Sequence, residues 1–386
     1  MPHKNSVFHD LLKWVPWDAF DALVSEHEAD KHVRRLSSKS QLVALLYAQL
    51  SGASSLREIV DGLQSHANQL YHLGARPVMR SSLADANAKR PYEVFAGLFA
   101  EMAGRAHRGL RRKIAETAYL IDSTGVRLSG LSAEWARFSA GVCGAKVHVI
   151  YDAEAEQPTY AAITASRVND ITAAKDMPIE AGATYVFDLG YYDYAWWARL
   201  DAAGCRIVTR FKSNTPLSVT AELDLPADLP EECNILSDRI GHLPQRQARS
   251  RKNPFQDPVR EVRVKTQTGK VLRILSNDLD APAQDIAELY KRRWQIELFF
   301  RWVKQTLKIK HFLGTSENAV KIQIAAALIA YLLLRLAQAA QTAVQSPLAF
   351  ARLVRANLMH RKRLDRLLKP DKDQSQNPNQ LRIQWT

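Results

Sequence analysis

One short stretch of the chain carries four polar residues at a spacing that could perform chemistry on phosphate groups. Within YKRRWQIELFFRWVK, residues 290–304, they are Tyr290, Arg293, Glu297 and Lys304. On an α-helix with about 100° per residue, their side chains fall within an arc of about 60°. A carboxylate in such a row can ligate a metal ion, and cations beside it can bind phosphates. The alternative is a solvated face, with Glu297 paired to Arg293 or Arg301.

An apolar stripe on the same helix predicts which side packs against the protein core. Its members are Leu289, Ile296, Phe300, Val303 and Leu307. Because this stripe adjoins the polar row, the four polar residues are expected along the rim of the buried face.

The elements that must position this helix begin near residue 117, where the pattern changes from helical to strand-like. TAYLIDST, AKVHVIYD (145–152) and TYAAITAS (159–166) predict three strands, followed by a short helix near 171–177. ATYVFD (183–188), a helix over 193–204 that Gly204 closes, and CRIVTRF (205–211) complete the order β-β-β-α-β-α-β. This order predicts an α/β fold with a ribonuclease-H-like mixed sheet. Neither common type of glycine-rich phosphate loop occurs in the sequence.

Two carboxylates, Asp122 and Asp188, each close an apolar strand of this scheme. The first and fourth strands of a ribonuclease-H-like sheet lie side by side and parallel, so we expect the two side chains to meet at one edge. Glu297 would join them from its helix. Three converging carboxylates repel one another unless cations neutralise them, and hard oxygen ligands favour Mg²⁺, with Mn²⁺ as a substitute. The sequence therefore predicts two metal ions held by Asp122, Asp188 and Glu297, a site for phosphodiester chemistry.

Three other aspartates are expected to lie outside this site. Asp152 ends a strand antiparallel to the first, so it should fall at the opposite end of the sheet. Asp170 and Asp193 stand at predicted helix starts, where N-capping is the default role.

Charge and cysteine content indicate the kind of partner and compartment. The chain has 386 residues, with 53 Lys+Arg against 40 Asp+Glu, a net charge of +13 and a pI near 9.6. Such a balance favours a polyanionic partner. The three cysteines lack a CxxC spacing, which argues against a zinc site and for a reducing compartment. The N-terminus lacks an apolar signal core, and the most apolar run, residues 324–334, is too short to cross a bilayer, so we expect no membrane association.

The pattern along the chain predicts five parts. Residues 1–113 form a helical DNA-binding region, for which a helical cap that only packs is the alternative. Residues 114–212 form the first part of the core, 213–281 a β-rich insertion, and 282–345 the second part with the Glu297 helix. Residues 346–386 form a basic helix and a disordered polar tail.

Together these residues resemble bacterial insertion-sequence transposases of the DDE type that carry a YREK signature. The signature is Tyr, two residues, Arg, three, Glu, six, Lys, which Tyr290, Arg293, Glu297 and Lys304 satisfy. The family's first Asp matches Asp122 in YLIDSTGVRL and its second matches Asp188 in VFDLGYYDY. The resemblance covers residues 117–340 well and the N-terminal helices loosely.

The resemblance implies an enzyme that cuts the DNA ends of an insertion sequence and joins them to target DNA. Metal-activated water would nick the element end, and the freed 3′-OH would attack the opposite strand, through a hairpin in several relatives. Tyr290, Arg293 and Lys304 would hold terminal phosphates. The partners implied are double-stranded DNA with terminal inverted repeats, target DNA and a second copy of the chain. A bacterial cytoplasm, with association to the nucleoid during action, would be the location.

Further residues are expected near the DNA on the same resemblance. Arg210 and Lys212, in TRFKSN, match basic residues that contact DNA in relatives, with solvated surface charge as the alternative. Some relatives stack a flipped base on a tryptophan of the β-insertion, but residues 206–281 contain none. Phe211 or Phe255 could provide that surface instead. Trp294 and Trp302 are expected to be packing residues.

Two other functions compete with transposition. A ribonuclease-H-like nuclease would cut DNA without strand transfer. A DNA-binding derivative would keep the fold without catalysis, although the intact Asp122, Asp188, Glu297 and Lys304 argue against it.

Overall fold

Buried apolar runs form the central strands, and polar caps set where the helices begin. The computed structural model describes residues 5–108, 117–225, 234–247, 251–307, 312–364 and 367. The helices are α1 (Val7–Leu12), α2 (Trp17–Glu26), α3 (Ser38–Ser51), α4 (Leu56–Ser65), α5 (Ala67–Leu70), α6 (Arg80–Lys89), α7 (Glu93–Arg108), α8 (Ala133–Ala136), α9 (Asp170–Ala174), α10 (Tyr194–Ala202), α11 (Ala283–Arg292), α12 (Trp294–Thr306), α13 (Glu317–Ala339) and α14 (Pro347–Asn357). The strands are β1 (Ala118–Leu128), β2 (Arg137–Ser139), β3 (Val142–Asp152), β4 (Gln157–Ala165), β5 (Thr184–Phe187), β6 (Arg206–Arg210), β7 (Ser218–Leu223), β8 (Ile235–His242), β9 (Arg246–Gln247), β10 (Arg251–Lys252), β11 (Val259–Lys265) and β12 (Val271–Ser276).

The core sheet has the strand order β4-β3-β1-β5-β6. β1 pairs antiparallel with β3 and parallel with β5, and β5 pairs parallel with β6. α9 and α10 connect β4 to β5 and β5 to β6. The predicted α/β fold with a ribonuclease-H-like mixed sheet is therefore confirmed.

The strands that follow β6 continue the same sheet. β12 pairs antiparallel with β6, and β11, β8 and β7 follow outward. A buried carboxylate, Glu261, accepts hydrogen bonds from Arg239, Arg263 and Arg273 on these outer strands. Because each arginine neutralises part of its charge, Glu261 is held inside the sheet in its ionised form.

Helices surround the core sheet, and α13 lies at their centre. It packs against α3, α6, α7 and α14. Among the described residues it is the one helix long and apolar enough to cross a membrane, at 23 residues, but 83% of its apolar window is buried inside the fold. The most apolar run, residues 324–334, lies within this helix, and the polar Glu317 and Arg335 lie towards its two ends.

α1 to α7 occupy the described part of the N-terminal region. Ser37 caps α3 by accepting a hydrogen bond from the backbone N–H of Ser40, and Gly52 ends that helix with φ +80°. The division of the chain into five parts stays a prediction, and the proposed disordered tail, residues 370–386, lies outside the described residues.

Candidate active site

Asp122 and Asp188 are adjacent on two parallel strands. The pairing of β1 with β5 ends at Ile121 and Phe187, so Asp122 is the next residue of β1 and Asp188 is the first residue after β5. The Asp122 carboxylate accepts a hydrogen bond from the backbone N–H of Ser123 (2.7 Å). The Asp188 carboxylate accepts one from the backbone N–H of Gly190 (2.8 Å), which starts a tight turn. β1 does not end at Asp122 as predicted but runs to Leu128, because its pairing with β3 continues after β5 has ended.

Burial raises the pKa of Asp122 to about 6. Repulsion by the charges of Asp188 and Glu297 acts in the same direction, while the Ser123 N–H and the Arg293 guanidinium oppose it. The site thus concentrates negative charge that a cation would stabilise.

Arg293 connects the strand acids to Glu297. Its Nη2 atom lies 2.6 Å from Glu297 Oε1, and its Nη1 atom lies 3.5 Å from Asp122 Oδ2. Tyr290 is buried, and its ring centroid lies 5.8 Å from the Arg293 guanidinium carbon. Burial raises the pKa of the Tyr290 phenol. Three of the four residues in the predicted row therefore meet at this site.

Arg210 reaches the same place from the sheet. It is the last residue of β6, directly after Thr209, which pairs with Phe187, so it lies beside Asp188 and is exposed. Lys212 is exposed, with its ammonium 4.3 Å from the ring centroid of Tyr192. Lys304 is half-buried on α12, about two turns beyond Glu297. The DNA-contacting roles of these residues stay predictions.

Within the described ranges, no three carboxylate, histidine or cysteine side chains are close enough together to hold a metal ion. Glu297 is paired with Arg293 instead. The convergence of all three acids on shared ions therefore stays a prediction.

A fourth carboxylate, Asp170, lies next to the site, so the prediction that it caps a helix outside the site is wrong. Asn169, not Asp170, occupies the N-cap position of α9. Asp170 Oδ1 accepts hydrogen bonds from the Ser123 hydroxyl (2.7 Å) and the Lys146 ammonium (3.0 Å). His148, which is opposite Ser123 on β3, has its Nδ1 atom 3.7 Å from the same oxygen. Two polar residues alternating in an otherwise apolar strand, AKVHVIYD, were the signal that could have indicated this cluster.

The other two aspartates lie where they were expected. Asp152 pairs with Tyr119, three residues before Asp122, and accepts hydrogen bonds from the next turn. Asp193 caps α10 by accepting from the backbone N–H of Trp196.

The aromatic residues differ from the sequence interpretation. Phe211 and Phe255 are each only 3% exposed, so neither offers a stacking surface. Trp302 packs edge-on against Tyr331 as expected, whereas Trp294 is 51% exposed. Trp294 lines a cavity of about 570 Å³ together with Tyr290 and Arg293.

A family model described as "Transposase DDE domain" matches residues 114–333, which include the strands of Asp122 and Asp188 and the helix of Glu297. The chain belongs to the DDE transposase family. A second model, described as a domain of unknown function, matches residues 3–76.

Curated relatives carry transposase names. A putative transposase, y4zB, of Sinorhizobium fredii is 40% identical over 297 residues, which is 77% of this chain and 81% of that protein. A probable transposase for insertion sequence element IS5377 of Geobacillus stearothermophilus is 29% identical over 337 residues, 86% of this chain and 85% of that protein. A solved piggyBac transposase synaptic complex with hairpin DNA aligns with a TM-score of 0.44 and 12% identity, covering 92% of this chain and 80% of that one.

This DDE transposase is therefore a DNA transposase, an enzyme of the metal-dependent class that cuts DNA and transfers strands. The family depends in general on divalent metal ions. Membership of the YREK-signature group stays a prediction.

Proposed function

We propose that Asp122, Asp188 and Glu297 are the catalytic acids with which this transposase cuts the ends of an insertion sequence and joins them to target DNA. The observation that carries the proposal is the position of Asp122 beside Asp188 on parallel strands, with Glu297 linked to Asp122 through Arg293. Asp122 and Asp188, which are 66 positions apart in the sequence, thus lie at the same end of two neighbouring strands, and Glu297 contacts Arg293 beside Asp122.

The donor set fits two divalent ions, Mg²⁺ or Mn²⁺. Carboxylate oxygens are the hard ligands that these ions prefer, and the ions would offset the repulsion from Asp188 and Glu297 that adds to burial in raising the pKa of Asp122. Asp122, Asp188 and Glu297 would hold the ions. When bound, they would activate the attacking hydroxyl and stabilise the leaving oxygen. Glu297 must then release Arg293.

A released Arg293 guanidinium is a ligand for a DNA phosphate. Its Nε atom is buried and has no hydrogen-bond acceptor within the part of the chain that the structure describes. Tyr290 supports the guanidinium from one side, and Arg210 adds a second cation next to Asp188. Lys304 and Lys212 would hold phosphates further along the strand. Arg293 therefore exchanges a carboxylate partner for a phosphate when DNA and metal enter.

The substrate we propose is double-stranded DNA that ends in terminal inverted repeats, followed by target DNA. Two ends must be held together for joining, so we propose a homodimer in the synaptic complex. Residues 1–113 would bind DNA as a helical region, and the enzyme would act in the cytoplasm at the nucleoid.

The test is cleavage and joining of a labelled duplex that carries the repeats flanking this reading frame, with Mg²⁺ present. The intact protein should give strand-transferred products, and Asp188→Ala should abolish them while DNA binding persists. Asp176→Ala, which removes an exposed carboxylate from the same part of the chain, is the control. Nicks without joined products would show that the protein is a nuclease that does not transfer strands. Cleavage by Asp188→Ala would overturn the assignment of the catalytic acids.

A further inference from the structure

A basic cleft lies in the N-terminal helical region, among the residues around the segment between α2 and α3. Three cavities of about 250, 240 and 750 Å³ are all lined by Arg34 and Arg35, so they adjoin one another. Arg76 lines the first two and Lys89 lines the third. We call these four residues and the cavities between them the basic cleft. The proposed function assigns DNA binding to residues 1–113 as a whole and names no residue of this region that makes the contact.

The cations of the basic cleft lack acidic partners. Arg34, Arg35, Arg76 and Lys89 are exposed, and over the residues described none of them forms an ion pair with a carboxylate. The acids nearby are already engaged: Glu28 pairs with Lys31 at 2.7 Å, and Asp30 lies 3.4 Å from an Arg90 nitrogen and accepts from Ser38. Asp85 is the further carboxylate that lines the cleft. Four clustered cations against one such acid produce a positive potential that attracts a polyanion.

The segment that carries Arg34 and Arg35 is rigidly braced. Arg90 is only 6% exposed and donates hydrogen bonds to the carbonyls of Ala29 and Leu36, near the two ends of the segment. A further Arg90 nitrogen donates to Gln41 of α3 (2.9 Å). The segment is therefore tied to the helices behind it at both ends.

The backbone of the same segment is strained. Glu28 and His32 have φ values of +47° and +60°, in the left-handed region that residues other than glycine rarely adopt. Such conformations persist only where surrounding contacts hold them, and they concentrate at binding and catalytic sites. Arg90 holds this strained segment in place. The exposed Arg34 and Arg35 on the segment are therefore preorganised for a ligand.

The backbone at Arg90 is also hydrogen-bonded to the catalytic part of the chain. Asn318, in the first turn of α13, donates hydrogen bonds to the Arg90 carbonyl (2.6 Å) and the Asn87 carbonyl (3.0 Å). The basic cleft is thus fixed relative to the central helix, so a duplex held there would keep a constant position with respect to the sheet.

We infer that the basic cleft binds the sugar-phosphate backbone of duplex DNA, at a position separate from the catalytic acids. The inference rests on the proposed function, since DNA is the polyanion that a transposase handles. Guanidinium groups suit phosphate oxygens because they donate two parallel hydrogen bonds. The matched residues 3–76, described as a domain of unknown function, would then contribute a DNA clamp.

Salt dependence of DNA binding tests this inference without metal, so that no cleavage occurs. The full chain, Arg34→Ala/Arg35→Ala and Arg57→Ala are titrated with a repeat-bearing duplex and with an unrelated duplex of equal length. Arg57 is an exposed arginine of α4 that lines none of the three cavities. Loss of two phosphate contacts should lower the slope of log K against log salt by about 2 and weaken binding at least about ten-fold.

A double Arg34→Lys/Arg35→Lys variant keeps the charge and should retain most of the slope. If the double alanine variant loses binding to both duplexes, or to the repeat-bearing duplex alone, the result supports DNA binding by the basic cleft. It also indicates which DNA the cleft binds. A double alanine variant that matches Arg57→Ala in slope and affinity overturns the inference, whatever the cleavage assay shows. Cleavage that fails in the intact protein, with the slope change present, would overturn the proposed function alone.

Discussion

The Arg293 guanidinium lies between two carboxylates, 2.6 Å from Glu297 Oε1 and 3.5 Å from Asp122 Oδ2. It joins the start of α12 to β1. Because its partners are the proposed metal ligands, Arg293 would compete with bound metal ions for the same negative charges. This competition has a measurable consequence.

Replacing Arg293 by Ala should destabilise the metal-free protein by about 1–3 kcal/mol, because two half-buried carboxylates lose a charged hydrogen-bond donor. Mg²⁺ should then raise the melting temperature more in this variant than in the intact protein, since the ions face no competing guanidinium. Thermal unfolding with and without Mg²⁺ measures both effects. Arg301→Ala, which removes an exposed arginine of α12, is the control. An equal Mg²⁺ shift of the melting temperature in the two variants would contradict the competition between Arg293 and the ions.

Asp170 should act as a positioning residue for Asp122. It holds the Ser123 hydroxyl at 2.7 Å, and the Ser123 backbone N–H in turn holds the Asp122 carboxylate at 2.7 Å. Asp170→Ala should lower metal affinity or cleavage by about 10–100-fold, the usual range for groups that orient metal ligands. Asp170→Asn keeps an acceptor for Ser123 and should recover part of the loss.

Mn²⁺ binding measured by calorimetry separates this role from a general loss of stability. If Asp170→Ala bound Mn²⁺ as the intact protein does, with an unchanged melting temperature, Asp170 would have no part in positioning Asp122.

The position of Asp122 beside Asp188 could be predicted because it follows from strand order alone. Two apolar strands that end in aspartate, placed next to each other in parallel, bring those residues together whatever their exact bounds. The extent of β1 could not be predicted in the same way. Residues after Asp122 stay in the strand because β3 pairs with them, and that partner lies elsewhere in the sequence.

The continuous helix predicted over residues 290–304 is broken at Arg293. The N–H of Arg293 bonds to the Tyr290 carbonyl and the N–H of Ile296 to the Arg293 carbonyl, so the turn tightens there. α11 packs on the sheet strands β6, β11 and β12, whereas α12 packs on β1, α13 and α14. Since the stretch contains neither Gly nor Pro, only these two packing surfaces could reveal the bend.

The four apolar residues predicted to face the core after the bend, Ile296, Phe300, Val303 and Leu307, are all buried. Leu289, which precedes it, is half-buried. Periodicity therefore gave the correct buried face within α12. The Asp170 cluster and the basic cleft depend on contacts between distant segments, which periodicity does not report.

Glycine at position 190 should be required for full cleavage activity, because two carboxylates lie close to it. A Cβ atom at this position would lie 3.0 Å from Asp188 Oδ1 and 3.2 Å from Asp170 Oδ2. Gly190→Ala should displace Asp188 by a few tenths of an ångström and lower cleavage by about ten-fold, with little change in stability because the residue is exposed. Gly130→Ala, where a Cβ meets no atom within 4 Å, is the control for cleavage rates. Equal rates for the two variants would show that the Asp188 position tolerates the shift.

The contribution of His148 to the stability of the fold should fall as the pH drops from about 6.5 to about 4, because its imidazole is held neutral. Burial lowers the pKa of His148 to about 4, with the Lys146 charge acting in the same direction and Asp170 opposing it. In the unfolded chain the imidazole takes up a proton below about 6.5, whereas the folded chain takes it up only near 4. The unfolded state therefore binds more protons in this window, and the contribution is complete above 6.5.

The expected loss is on the order of 3 kcal/mol across that window. Denaturant unfolding of the intact protein and of His148→Gln at pH 7 and at pH 4.5 measures it as the difference between the two, because the raised pKa of Asp122 acts in the opposite direction in both proteins. His148→Gln should lack this part of the pH dependence. His242→Gln, which changes an exposed histidine, should retain it. An unaltered pH slope in His148→Gln would mean that the imidazole is protonated in the fold, paired with Asp170 at 3.7 Å as a cation.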